Sequence, residues 1–120
     1  MKKKRILLVD DEVGFTRLLK LNLEQRADYE VRIENWADKA LHAAREFRPD
    51  IILLDLGLPG LSGFEIAREI RSSLDLHGVI LIALTGYGQE EDRRQTRAHG
   101  FDDHMVKPID LDALNALVNR

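Results

Sequence analysis

Ile51-Ile52-Leu53-Leu54-Asp55 is too short for a helix and apolar at every position but the last. An unbroken aliphatic run of this length fits a strand covered on both faces. Similar runs recur on either side of it. Ile6-Leu7-Leu8-Val9 is closed by Asp10-Asp11, Val79-Ile80-Leu81-Ile82-Ala83-Leu84 by Thr85, and the weaker Phe101 to Val106 by Lys107. A further stretch, Tyr29-Glu30-Val31-Arg32-Ile33, alternates apolar and polar residues. That pattern suits an edge strand with one wetter face.

Helical patterns lie between the runs. Phe15, Leu18, Leu19 and Leu23 form one apolar stripe, at the spacing that places side chains on one helix face. Ala37, Ala40, Leu41 and Ala44 repeat it after Asn35, a candidate N-cap with Asp38 three residues on. Ser62 and Glu65 predict a capping box ahead of Phe64, Ala67 and Ile70. Asp110 predicts the cap of a last helix bearing Leu111, Leu114, Leu117 and Val118. Gln89 to His99, ending at Gly100, reads as a solvated helix with little to bury and low local stability. Strands alternating with helices call for a parallel sheet wound on both faces. With right-handed crossovers, the economical arrangement is α/β, a flavodoxin-like doubly wound (βα)5 fold with a five-stranded parallel sheet of order 2-1-3-4-5.

Composition narrows the function. The chain has 120 residues, no cysteine and a net charge of −3, with 44% hydrophobic and 32% charged residues. These values predict one globular domain over 1–120, without disulfides, Cys-ligated zinc or thiol chemistry. The longest apolar run falls far short of the ~20 residues that span a bilayer. No signal peptide is recognisable after Lys2 to Arg5. Soluble, cytoplasmic placement is expected, with no membrane insertion. Net acidity argues against a nucleic-acid partner, and Lys2 to Arg5 reads as a solubilising lead-in.

The chemistry gathers after the strands. Open parallel sheets bind ligands beyond the carboxyl ends of their strands, at the switch point of strand order. Here Asp10, Asp11 and Asp55 flank that point, with Thr85 and Lys107 on neighbouring strands. A lone aspartate after a strand is ordinarily a turn or cap residue, and Asp10-Asp11 alone fits capping of the first helix. Functional residues at four strand ends are harder to explain that way. Clustered carboxylates repel, and Mg²⁺ (or Mn²⁺) relieves this while accepting phosphate oxygens. A carboxylate nucleophile, a divalent metal, a lysine and a hydroxyl together suit phosphoryl transfer. A flavodoxin-like cofactor-binding protein would need a phosphate loop where Asp10-Asp11 stands. A phosphatase with an aspartate nucleophile expects a second carboxylate two residues on, where this chain has Gly57.

Leu8-Val9-Asp10-Asp11-Glu12, Leu53 to Pro59 with Gly63, Leu84-Thr85-Gly86 and Val106-Lys107-Pro108 resemble the receiver domain of two-component response regulators. The resemblance covers essentially the whole chain. It implies that Asp55 accepts a phosphoryl group from the phosphohistidine of a histidine kinase or histidine phosphotransfer protein. It also implies that Asp11, Asp55 and the Gly57 carbonyl hold Mg²⁺, with Asp10 acting through water. Lys107 would pair with the phosphoryl oxygens and Thr85 would hydrogen-bond them. The surface around the fifth strand and last two helices would then switch, signalling to a separate downstream effector protein. The domain is expected to act as a phosphoacceptor rather than an enzyme, as a monomer or weak phosphorylation-linked dimer with no effector domain. A pseudo-receiver docking module is the rival, and the full residue set disfavours it. The Lys107–Pro108 bond is similar to one often cis in the family. His104 departs from the usual aromatic switch residue, and an imidazole there would add pH sensitivity near neutrality. Gly57 and Tyr87 occupy positions where phosphoryl lifetime is tuned, and predict slow self-dephosphorylation. The wording around Gly86 and Gly100 looks like receivers fused to hybrid histidine kinases. His42, His77 and His99 read as surface residues, and Trp36 as packing at the start of the second helix.

Overall fold

The computed structural model describes residues 3–26, 29–60, 62–86 and 93–119. Five strands, β1 (Lys4–Val9), β2 (Tyr29–Glu34), β3 (Ile51–Asp55), β4 (Ile80–Thr85) and β5 (Asp103–Val106), form one parallel sheet. Its order is β2-β1-β3-β4-β5, the arrangement expected. The helices are α1 (Val13–Arg26), α2 (Ala40–Phe47, led by a 3-10 turn at Ala37–Lys39), α3 (Gly63–Ser72), α4 (Arg93–Ala98) and α5 (Leu111–Val118).

Strand side chains alternate between the two faces, so each run divides its residues between two cores. Leu7, Val9, Ile52, Leu54, Leu81 and Ala83 pack with Ala40, Ala44, Ile66, Ala67 and Ile70. Ile6, Leu8, Ile51, Leu53, Ile82 and Leu84 pack with Leu19, Leu23, Leu114 and Val118. β3 lies at the centre, each of its five residues buried. Deleting such a side chain to alanine costs about 2–5 kcal/mol.

Caps follow the sequence in part. Ser62 Oγ accepts from the Glu65 N–H at 3.2 Å, and Asp110 accepts from the N–H groups of Asp112 and Ala113. Gly100 closes α4 with φ of 97°. Asn35, in contrast, caps nothing. The 3-10 turn begins at Trp36 without a side-chain cap, and Asn35 Nδ2 instead donates to the Asp10 carbonyl at 2.7 Å and to Thr16 Oγ1 at 3.2 Å. The alanine spacing locates α2, but an amide can serve a neighbouring strand as readily as a helix start. Trp36 is not packing either: it is 65% exposed, because the short turn carries it away from the sheet. On α1, Leu18 is exposed while Thr16 is buried. Thr16 lies inside because its hydroxyl is satisfied by the carbonyls of Val13 and Glu12 at 3.0 and 3.3 Å. Phe101 is buried just ahead of β5, and α4 contributes buried Thr96. Residues 89–92 of the expected fourth helix lie outside the described residues. Of the histidines expected at the surface, His99 is half-buried and packs against Phe64, with ring centroids 4.4 Å apart and planes tilted by 44°.

One tie from α1 to the outermost strand carries a pH signature. The Val31 N–H donates to Glu24 Oε2 at 3.2 Å, and Lys20 Nζ donates to the Val31 carbonyl at 2.7 Å and to Glu24 Oε2 at 3.0 Å. Burial works against the Glu24 carboxylate, but the hydrogen bonds from Lys20 and Val31 outweigh it and hold its pKa below the ordinary range. A lowered folded pKa stabilises above the unfolded value, about 4.3, and this is lost as pH falls through the folded value. The pair is about one-third exposed, so solvent screening reduces its worth. Glu24→Gln is expected to cost about 0.5 kcal/mol at pH 7 and less at an acidic pH below the folded pKa, by urea denaturation. An equal cost at both pH values would show that charge has no part in it.

Candidate functional site

The carboxyl edge of the sheet brings the predicted residues together. Asp10 directly follows β1 and is fully buried, and Asp55 ends β3 with 6% exposure. Asp11 is exposed on the loop. One carboxylate oxygen from each of Asp10, Asp11 and Asp55 lies within 4.8 Å of the others. Local turns aim the two buried acids: Asp10 Oδ1 accepts from the Glu12 N–H and Asp55 Oδ1 from the Gly57 N–H, both at 2.9 Å.

Lys107 follows β5, and its N–H donates to the Thr85 carbonyl at 2.8 Å, which fixes where the side chain departs. Its Nζ lies 2.6 Å from Asp10 Oδ2, 3.3 Å from Glu12 Oε1 and 3.6 Å from Asp55 Oδ2. The Lys107–Pro108 bond is cis. Thr85 ends β4 fully buried, with Oγ1 3.3 Å from His104 Nε2. Tyr87 lies outside the described residues.

Sequence reading overlooked three residues of this site. Glu12 is a third carboxylate within reach of Lys107, beside Asp10 and Asp55. Asn35 holds the backbone of Asp10. Phe15, assigned only to the apolar stripe, has its ring centroid 4.6 Å from Lys107 Nζ. Its place one turn beyond Asp11 was the available signal.

Burial pushes the Asp10 carboxyl above its usual range, although the Lys107 hydrogen bond and the Glu12 N–H pull against it. Burial likewise disfavours the Lys107 ammonium. The hydrogen bond to Asp10 and the charges of Asp10 and Asp55 outweigh that and hold its pKa above the ordinary lysine value. Three clustered aspartates with one paired lysine leave the pocket negatively charged. All the donors are hard oxygens, so the set fits Mg²⁺ or Mn²⁺ rather than a softer thiophilic metal.

Fold and site together define a class: a doubly wound α/β domain with an acidic, lysine-paired pocket at its switch point. Residues 6–119 match the family model described as "Response regulator receiver domain", and the chain belongs to that family. It is therefore a two-component signalling module of the phosphoacceptor kind, and receiver domains are phosphorylated by histidine kinases. It is 37% identical over 114 residues to the phosphate regulon transcriptional regulatory protein PhoB of Rhizobium meliloti, covering 95% of this chain and 50% of PhoB. It is 31% identical over 115 residues to protein PilH of Pseudomonas aeruginosa, covering 96% of this chain and 94% of PilH. The chain thus spans about half the length of the transcriptional regulators it matches. Among solved structures it superposes, with a TM-score of 0.85 and 30% identity, on the receiver domain of sensor histidine kinase PA1611 from Pseudomonas aeruginosa PAO1, covering 98% and 96% of the two chains. That structure carries a magnesium ion coordinated in the active site cleft. Among the described residues no helix is long and apolar enough to cross a membrane.

Proposed function

We propose that Asp55 accepts a phosphoryl group in a reaction assisted by Mg²⁺ or Mn²⁺. The donor is the phosphohistidine of a histidine kinase or histidine phosphotransfer protein. The observation that carries this reading is the placement of Lys107 Nζ between Asp10 and Asp55, at 2.6 and 3.6 Å, beside three clustered carboxylate oxygens. An Asp55 oxygen attacks phosphorus, the P–N bond breaks, and the imidazole leaves as a neutral group after taking up a proton. Asp10, Asp11, Asp55 and the Gly57 carbonyl would hold the metal, which supplies charge neutralisation for the phosphoryl oxygens. Lys107 keeps a compact positive charge beside the attacking carboxylate. Incubation with MgCl₂ and acetyl phosphate is expected to add one phosphoryl mass, and EDTA to prevent it. An unmodified chain after both treatments overturns the reading.

Thr85 and His104 are the switch pair of this proposal. Their 3.3 Å contact supports a coupling in which Thr85 turns toward the phosphoryl group and His104 follows. The region around β5, α4 and α5 would then signal to a separate effector protein, with residues 1–120 acting as a single receiver. His104→Tyr is expected to flatten the pH profile of phosphorylation-dependent effector binding between about pH 5.5 and about pH 8. An unchanged profile sinks the pH role. A β-carbon at position 57 would lie 3.6 Å from Asp55 Oδ1. Gly57 therefore places no side chain against the acceptor to orient a hydrolytic water, which supports slow dephosphorylation.

A further inference from the structure

Lys107 has a long, flexible stem, and holding it in one rotamer carries an entropic cost. Its anionic partners are unequal: Asp10 lies a full ångström closer to Nζ than Asp55 does. If Asp55 is the acceptor, as proposed above, the ammonium must leave Asp10 and meet oxygens arriving on Asp55. Glu12 cannot guide that transfer without adding another negative charge. The ring of Phe15 can. It lies 4.6 Å from Nζ, and its face attracts a cation while carrying no net charge to repel a phosphoryl group. Phe15 is itself anchored, packed against the core that contains Ile6, Leu8 and Leu19, and the Lys107 side chain it meets is only 13% exposed.

We infer that Phe15 is a positioning residue for Lys107, a neutral aromatic seat that keeps the ammonium at the acceptor while its anionic partners change. Aromaticity, rather than bulk, is the property it contributes. The experiment compares wild type, Phe15→Leu and Phe15→Tyr, at a temperature where circular dichroism shows all three folded. One readout is the proton shifts of the Lys107 side-chain methylenes in lysine-labelled, metal-free protein, assigned through Lys107→Arg. The other is the rate of phosphorylation by acetyl phosphate with Mg²⁺.

Wild type and Phe15→Tyr are expected to show upfield ring-current shifts at Lys107 that Phe15→Leu lacks. Phosphorylation is expected to slow about fivefold to tenfold in Phe15→Leu and stay within about twofold in Phe15→Tyr. Lys107 resonances that do not respond to Phe15→Leu overturn the inference. So do equal losses of rate in both variants, which would assign the effect to packing. A Phe15→Leu protein phosphorylated at the wild-type rate overturns the positioning role alone. A wild-type chain that takes no phosphoryl group overturns the phosphoacceptor reading together with it.

Discussion

Asp55→Asn is expected to abolish phosphoryl uptake from acetyl phosphate while leaving the fold intact. The change replaces the carboxylate that ends β3, whose Oδ2 lies 3.6 Å from Lys107 Nζ, with a carboxamide that is not a nucleophile. The amide is nearly the same size and keeps an oxygen that can accept the Gly57 N–H now bonded at 2.9 Å. It also removes one negative charge from a crowded acidic pocket, so the metal-free protein should be at least as stable as wild type. Mass spectrometry after incubation with Mg²⁺ should find a single phosphoryl addition on wild type and none on the variant. A phosphorylated Asp55→Asn protein would move the acceptor to another acid. Followed over time, the wild-type adduct should persist for minutes or longer. Decay in seconds would contradict the role given to Gly57.

Gly63→Ala should damage the fold and the site together. A β-carbon there would lie 2.8 Å from the Asp55 carbonyl oxygen and 2.8 Å from Leu56 Cα. Both are backbone atoms, which cannot swing aside as a side chain can. The start of α3 must move away from the end of β3, where the acceptor sits. Overpacking of this kind costs about 1–3 kcal/mol, a large share of the 5–15 kcal/mol typical of a domain. Chemical denaturation should show that loss, and phosphorylation of the folded fraction should slow because Asp55 is displaced. Unchanged stability would mean that α3 adjusts freely at its first turn.

Backbone architecture was largely legible in the chain, because uninterrupted runs such as Ile51 to Leu54 have one economical arrangement: a parallel sheet covered on both sides. Site placement followed from the same logic, since Asp10, Asp55, Thr85 and Lys107 each end or follow a strand, and the strands share one direction. What was not legible depended on contacts made across the fold. Asn35 reads as a helix cap until β1 is seen beside it. Trp36 reads as core until the 3-10 turn carries it outward. Thr16 looks too polar to bury until the carbonyls of Glu12 and Val13 satisfy its hydroxyl. Periodicity reports which face of an element is apolar. It says nothing about which partner a polar side chain will find.

The tie between α1 and β2 also bears on how copies of this chain behave when crowded. β2 is the outermost strand on its side of the sheet, where exposed backbone donors and acceptors would ordinarily invite another chain to add a strand. At Val31, the middle of that margin, both groups are already engaged by Glu24 and Lys20. Sheet extension there would first have to displace an ion pair. Self-association by strand addition at β2 is thereby disfavoured.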